Sequence, residues 1–179
     1  MQQTRDGLLV PPPEPPKQDI IKITKSFENG YKWFYWIAGL SMVNSVAHLA
    51  KGGFSFVIGL GMPQIVEAIA MALTEEHPQA SIILKIIVLI FAAIFAGVFA
   101  LFGWLASKKH GWAFIVGMIL YSLDGLIFIL VKDWMSIAFH IFAFICILTG
   151  YLNLRKLNLL QPAPLPQPVV IPGLENISN

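Results

Sequence analysis

The fold of this chain is decided by residues 82–106, IILKIIVLIFAAIFAGVFALFGWLA, in which Lys85 is the only charged residue. At a rise of about 1.5 Å per residue, a helix of this length crosses a hydrocarbon layer of about 30 Å. Buried strands and ordinary core helices are built from shorter apolar runs. The stretch therefore predicts a transmembrane helix.

Four further apolar blocks of similar length flank this stretch: residues 31–50, 54–73, 111–131 and 134–154. Over the whole chain 56% of the residues are hydrophobic and 12% are charged, whereas soluble domains carry about twice that charged share. We therefore predict an all-α, polytopic membrane helix bundle in contact with the lipid bilayer.

Proline-rich segments lie on both sides of the apolar blocks. Residues 1–30 contain PPPEPP at positions 11–16, and residues 157–179 contain five more prolines. Such segments favour extended polyproline II conformation and offer nothing periodic to bury. The sequence thus predicts three parts: an N-terminal tail (1–30), a transmembrane helical domain (31–156) and a C-terminal tail (157–179).

The positions of the basic residues predict the topology. Basic clusters lie in the N-terminal flank, at Lys108 and Lys109, and at Arg155 and Lys156. The positive-inside rule places such clusters in the cytoplasm. Five crossings would separate the N-terminal flank from the other two clusters, whereas four crossings put all three on one side. We therefore expect four spans in the cell membrane, with both tails cytoplasmic.

The block at residues 54–73 is the one predicted not to cross. Gly59-Leu60-Gly61-Met62-Pro63 puts two glycines and a helix-starting proline in its middle. This pattern favours a descending stretch, a turn, and a short helix from Pro63 to about Glu76. Backbone bent at that depth has to be buried in protein or line a wet cavity. The prediction is a re-entrant helix, with an interfacial helix and a kinked fifth span as alternatives.

Five polar side chains lie inside the apolar blocks: Asn44, His48, Glu67, Asp124 and His140. Ionisable groups at such depth are costly and usually face a partner or a cavity. Asp124 and His140 lie equally far from the short turn that joins their helices, so they are expected at one depth, where they can share a proton or a hydrogen bond. Asn44 is expected at about the same depth, and Glu67 reaches it as well if the second block is re-entrant. The sequence therefore predicts a polar cluster in the outer half of the bundle.

Several uses of this cluster stay open. In a proton or cation site, Asp124 would exchange the proton with His140 as its partner, Glu67 would act as a second relay group, and Asn44 would orient them. A metal site would use His48 and the other ionisable groups, although no ligand spacing signature is present. An enzyme would use one of the two carboxylates as a general base. In the structural alternative, Asp124 and His140 form a mutually satisfied pair that sets the register of two helices.

Two local features predict how helices begin and pack. Asp133 precedes the last apolar block and is expected to cap its helix. Ala92, Ala96, Ala100 and Gly103 form a stripe of small residues that lets another helix approach closely.

The sequence excludes some functions and leaves two classes open. It contains no catalytic, cofactor or nucleic-acid motif, its net charge of +2 is too small and scattered for binding nucleic acid, and the single Cys146 excludes an internal disulfide. We expect an accessory or assembly subunit bound to other membrane protein subunits, because so short a chain encloses little volume and proline-rich tails suit an adaptor. A carrier of a proton, cation or small polar ligand is the alternative.

Overall fold

The computed structural model describes residues 2–3, 9–10, 17–49 and 59–160. They form five α-helices: α1 (Lys17–Leu49), α2 (Gly61–Glu76), α3 (Ser81–Ser107), α4 (Gly111–Leu130) and α5 (Trp134–Leu160). A 3₁₀ turn, Pro78–Ala80, links α2 to α3, and Gln2–Gln3 pairs with Leu9–Val10 in an antiparallel arrangement. The predicted all-α class is confirmed. The proline-rich runs at 11–16 and 161–179 lie outside the described residues.

Three helical segments are long and apolar enough to cross a membrane: Pro78–Ser107, Gly111–Leu130 and Trp134–Leu160. This finding confirms the prediction of a membrane protein with transmembrane helices. Among the described helices, α1 is also long, with 33 residues, but Lys32 and Asn44 lower the hydropathy of its apolar part. The fourth span is therefore taken up below as a proposal.

The first helix begins well before the apolar block from which it was predicted. α1 starts at Lys17, directly after the last N-terminal proline, and continues without a break into the apolar part. Phe27 is buried in this early portion and packs its ring 6.1 Å from that of Phe114. Lys32 and Glu28 form an ion pair on the exposed side. This early part of α1 is helical because its few apolar residues pack on the bundle. Their number is too small for the sequence to predict a membrane span there.

α1 runs antiparallel to both α3 and α5 and packs closely against each. Gly103 of α3 faces Phe34 and Tyr35 of α1, and the predicted packing role of the small-residue stripe on α3 is confirmed by this contact and by its buried alanines. On the other side, the main chains of Gly30 and Gly150 touch where α1 and α5 cross. Only glycine permits this approach, because a Cβ on either residue would occupy the space of the partner's backbone.

α4 runs parallel to α1, since Phe27 of α1 contacts Phe114 of α4, whereas Phe34, two turns later, also lies against Gly117 further along α4. The start of α1, the α3–α4 turn and the last turns of α5 consequently lie together. This end of the bundle, which we call the basic end, carries Lys108, Lys109, Arg155 and Lys156. The opposite end, which we call the turn end, holds the α2–α3 and α4–α5 turns.

α2 begins inside the bundle and leaves it at the turn end. A Cβ on Gly61 would lie 3.1 Å from the ring of Phe128 and 3.2 Å from the main-chain oxygen of Asp124, so α2 starts beside the last third of α4. Its 16 residues then run for about 24 Å to Glu76, next to the start of α3. The predicted end of this helix is confirmed, and its start lies two residues before Pro63.

Candidate functional site

The start of α2 is held by a carboxylate from another helix. Asp124 Oδ2 accepts a hydrogen bond from the N–H of Gly61 at 2.7 Å, and Oδ1 accepts one from the N–H of Met62 at 2.9 Å. The residue at the N-cap position, Leu60, has no side-chain acceptor to offer, and Pro63 has no N–H to satisfy. Asp124 thus does for α2, from α4, what a polar N-cap residue does in most helices.

His140 of α5 is the second partner of Asp124. Its Nε2 lies 3.3 Å from Asp124 Oδ2, and its Nδ1 lies 2.8 Å from the main-chain oxygen of Ser136. A carbonyl oxygen only accepts, so Nδ1 carries a hydrogen, and a neutral ring would then present a bare Nε2. One proton therefore lies between Nε2 and Oδ2, either on an imidazolium facing a carboxylate or on a carboxylic acid facing an imidazole.

The pair has no net charge in either arrangement. Asp124 and His140 are 6% and 7% exposed, and burying separate charges at such positions would be strongly unfavourable. The positive end of the α2 dipole and two N–H donors favour the carboxylate form of Asp124. The geometry therefore places a helix N-terminus and an imidazole against the two oxygens of one carboxyl group.

Aromatic rings and one glycine fix the imidazole. Tyr121 stacks on His140 with ring centroids 4.4 Å apart and an interplanar angle of 13°, and Phe128 lies 5.0 Å away. A Cβ on Gly125 would lie 3.0 Å from His140 Cδ2, so the ring occupies space that a larger residue would fill. The contacts leave His140 little freedom to rotate away from Asp124.

Hydrogen bonds connect this buried pair to the turn end of the bundle. Asp133, in the α4–α5 turn, accepts from the N–H of Ser136 at 3.2 Å and from its hydroxyl at 2.6 Å. The predicted capping of α5 by Asp133 is confirmed, and the hydroxyl of Ser136 lowers the pKa of the Asp133 carboxyl below its ordinary value. The main-chain oxygen of Ser136 also accepts a hydrogen bond from His140. A series of polar contacts therefore connects Asp133 with Asp124 through Ser136 and His140.

Asn44 lies at the beginning of α2 as well. Its Nδ2 is 3.2 Å from the position that a Cβ would take on Gly59, and Gln64 Nε2 is 3.5 Å from the same point. Among the residues that the structure describes, Asn44 Oδ1 and Gln64 Nε2 are buried without a hydrogen-bond partner. Asn44 is thus near the same helix start as Asp124, with unused hydrogen-bonding capacity.

The sequence predicts that Glu67 reaches the level of Asp124 and His140. In the structure it does not reach that level. It lies six residues after Gly61, or about 9 Å further along α2 toward the turn end. There it lines a separate cavity of about 270 Å³ together with Leu49 and Lys85. The prediction measured depth from the following loop, whereas the position of α2 is set by Asp124 at its start.

His48 lies in the last turn of α1, and its side chain is outside the described part of the chain. Within that part, no group of three or more His, Cys, Asp or Glu side chains is arranged to hold a metal ion. The five predicted residues therefore divide into the Asp124–His140 pair, Asn44 beside the start of α2, Glu67 in its own cavity, and His48.

Sequence reasoning missed the role of main-chain N–H groups and of two side chains. The amides of Gly61 and Met62, not another ionisable group, are the nearest partners of Asp124. Ser136 and Tyr121 orient His140, and the four-residue spacing of Ser136 and His140 is the one signal that could have indicated the first of these. The sequence matches no protein-family model, and neither a curated protein nor a solved structure is significantly similar to it.

Proposed function

We propose that α1, α3, α4 and α5 cross the cell membrane and that α2 is re-entrant. The length of α1 and its antiparallel packing against α3 and α5 support the fourth span. The position of Gly61 beside Asp124, with Glu76 at the turn end, supports re-entry, because α2 enters and leaves the bundle region without passing to the basic end. The positive-inside rule puts the basic end, and hence both tails, in the cytoplasm.

Within this topology the protein acts as an accessory or assembly subunit of a membrane complex. The observation that carries this proposal is that both oxygens of Asp124 and both ring nitrogens of His140 are engaged in holding the bundle's own elements. The most polar buried centre is therefore used for structure. In addition, Val88 alone is buried among residues 82–91 of α3, which leaves an apolar helix face for a larger assembly.

Extraction of native membrane patches with a polymer, followed by mass measurement, tests the accessory function. We expect a stoichiometric protein partner, which Ile87→Trp on the exposed face of α3 should release. Ile119→Trp, on the exposed face of α4, is the matched control and should retain the partner. Recovery of the unmodified chain alone at every protein-to-polymer ratio would contradict the proposal.

A second candidate function, a carrier of a proton, cation or small polar ligand, is favoured by the polar contacts between Asp133 and Asp124. In this function the proton would be exchanged at Asp124 and His140, and Asp133 would act by holding Ser136, whose main-chain oxygen accepts a hydrogen bond from the imidazole. Proteoliposome flux should then lose its pH dependence in Asp124→Asn and slow in Asp133→Asn, while Glu76→Gln at the exposed end of α2 should have no effect. Identical flux in all four proteins would reject the carrier.

A further inference from the structure

A cavity of about 270 Å³ lies between the end of α1, the middle of α2 and the first turns of α3. Its walls are mainly apolar, with Leu84 and Val88 of α3 among them, and its polar side chains are those of Glu67, Thr74, Glu75 and Lys85. Sites for drug-sized ligands usually enclose about 300–1,000 Å³. The cavity is therefore of a size for a small polar headgroup whose remaining part lies outside.

Glu67 is the feature of this cavity that favours a ligand. The residue is only 4% exposed, and its Oε1 has no hydrogen-bond partner among the described residues. A buried carboxyl oxygen without a donor is strongly unfavourable, and more so in a membrane, where water is scarce. A positively charged donor entering the cavity would satisfy this oxygen and pair with the carboxylate.

Lys85 supplies the complementary charge on the opposite wall. It is exposed on α3, four residues after the start of that helix, and lines the same cavity as Glu67. A lysine at this height on a membrane helix places its ammonium group near the headgroups of the bilayer. The cavity thus offers an acceptor for a cation and a donor for an anion within one small volume.

We propose that this cavity binds the headgroup of an aminophospholipid, with its primary ammonium group on Glu67 and its phosphate on Lys85. The acyl chains lie along exposed apolar residues on the same side of α3 as Lys85, such as Ile82 and Leu89, and leave the face of Ile87 free. The headgroup is drawn inward by Glu67, which distinguishes it from lipid that only surrounds the bundle. The binding is independent of the accessory function, since it uses no surface of another protein.

Native mass spectrometry of the detergent-solubilised protein tests this site with lipids of identical acyl chains. We expect at least fivefold more bound phosphatidylethanolamine than phosphatidylcholine or phosphatidylglycerol. Glu67→Gln should abolish this preference, whereas Glu76→Gln, on the same helix and outside the cavity, should keep it. Equal binding of the three lipids, or a preference that survives Glu67→Gln, would overturn the proposal.

Lys85→Gln provides a second test that does not depend on a buried substitution. The unmodified protein should prefer phosphatidylethanolamine to hexadecylamine, which has the ammonium group and a chain but no phosphate, and Lys85→Gln should remove that preference. An unchanged preference would contradict the role of Lys85. Displacement of the lipid by millimolar O-phosphoethanolamine would identify a soluble zwitterion as the ligand and overturn the assignment to a lipid.

Discussion

At the scale of single residues, Asp124 explains how a polar centre is tolerated in an apolar bundle. Its carboxyl group is stabilised by the positive end of α2 and by its partner His140, while the free N–H groups of α2 gain acceptors in return. The carboxyl group and the helix start thus provide each other with hydrogen-bonding partners. Removing one member therefore leaves buried polar atoms unpaired, which costs more than the bond itself contributes.

Asp124→Asn is expected to destabilise the protein by about 1–3 kcal/mol. In the unmodified protein each carboxylate oxygen accepts from one main-chain N–H, that of Gly61 or that of Met62. The asparagine amide has only one oxygen, so its NH₂ group faces one of these N–H groups, which loses its acceptor. Asp133→Asn is the matched control and should be close to neutral, because Asn caps helices about as well as Asp. Thermal unfolding in detergent measures both, and equal unfolding temperatures for the two variants would refute the role of Asp124.

At the scale of elements, the bundle depends on how closely α1 and α5 approach. Their main chains touch at Gly30 and Gly150, so both helices keep their positions only while these residues lack a Cβ. Close contact between helix backbones contributes dispersion energy that lipid-exposed faces cannot provide. The crossing also keeps α5, and with it His140, in register with the rest of the bundle.

Gly150→Ala should lower the free energy of unfolding by about 1–3 kcal/mol, because the added methyl group forces the helices apart. Gly39→Ala, on the same helix as Gly30, is the control: nothing lies within 4 Å of its Cβ position. It should be neutral or slightly stabilising, since alanine favours the helix. Equal loss of stability in the two variants, measured by unfolding in detergent, would contradict the close crossing.

The cap of α5 should make stability depend on pH. Because the hydroxyl of Ser136 lowers the pKa of Asp133 below its ordinary value of 3.8, the cap contributes its full stability above that value and loses it as the pH falls through the lower, folded-state pKa. Asp133→Ala should therefore cost about 1 kcal/mol at neutral pH and progressively less in acid. Unfolding from pH 7 to pH 3 measures this difference, and a constant difference would show that the carboxylate is not the cap.

At the scale of the whole molecule, the direction of each helix brings the basic residues to one end. α1 and α4 run one way and α3 and α5 the other, so the flank of α1, the α3–α4 turn and the last turns of α5 share the basic end. In the proposed topology α2 adds no crossing, because it starts beside Asp124 and finishes at the turn end. The proposed topology follows from these directions and from the positive-inside rule.

Cysteine labelling tests this topology. In a Cys146→Ser background, Glu76→Cys and Lys132→Cys should react with an impermeant maleimide from outside the cell, whereas Lys108→Cys should react only from the cytoplasmic side. Inverted vesicles provide the reversed control. If Lys22→Cys, at the start of α1, and Lys108→Cys react from opposite compartments, α2 crosses the membrane together with α1 and α3, and the re-entrant arrangement is wrong.

Much of the helical architecture could be predicted from the sequence. Long apolar runs form helices in lipid because no water is available to satisfy the main chain, so α3, α4 and α5 begin within one residue of their predicted blocks. The short turn between α4 and α5 likewise determined that Asp124 and His140 meet, since two helices joined so tightly must lie antiparallel.

The beginning of α1 and the depth of Glu67 were decided only by tertiary contacts. Residues 17–30 are too polar to indicate a packed helix, yet Phe27 finds its partner on α4. Glu67 lies where it does because the start of α2 is bound by an acceptor 63 residues away. By itself, the sequence determined that α3, α4 and α5 are long and apolar enough to cross a membrane, since transfer of apolar residues from water depends on composition. Where α2 starts depended on a hydrogen-bond acceptor on another helix, and only the folded bundle brings that acceptor within reach.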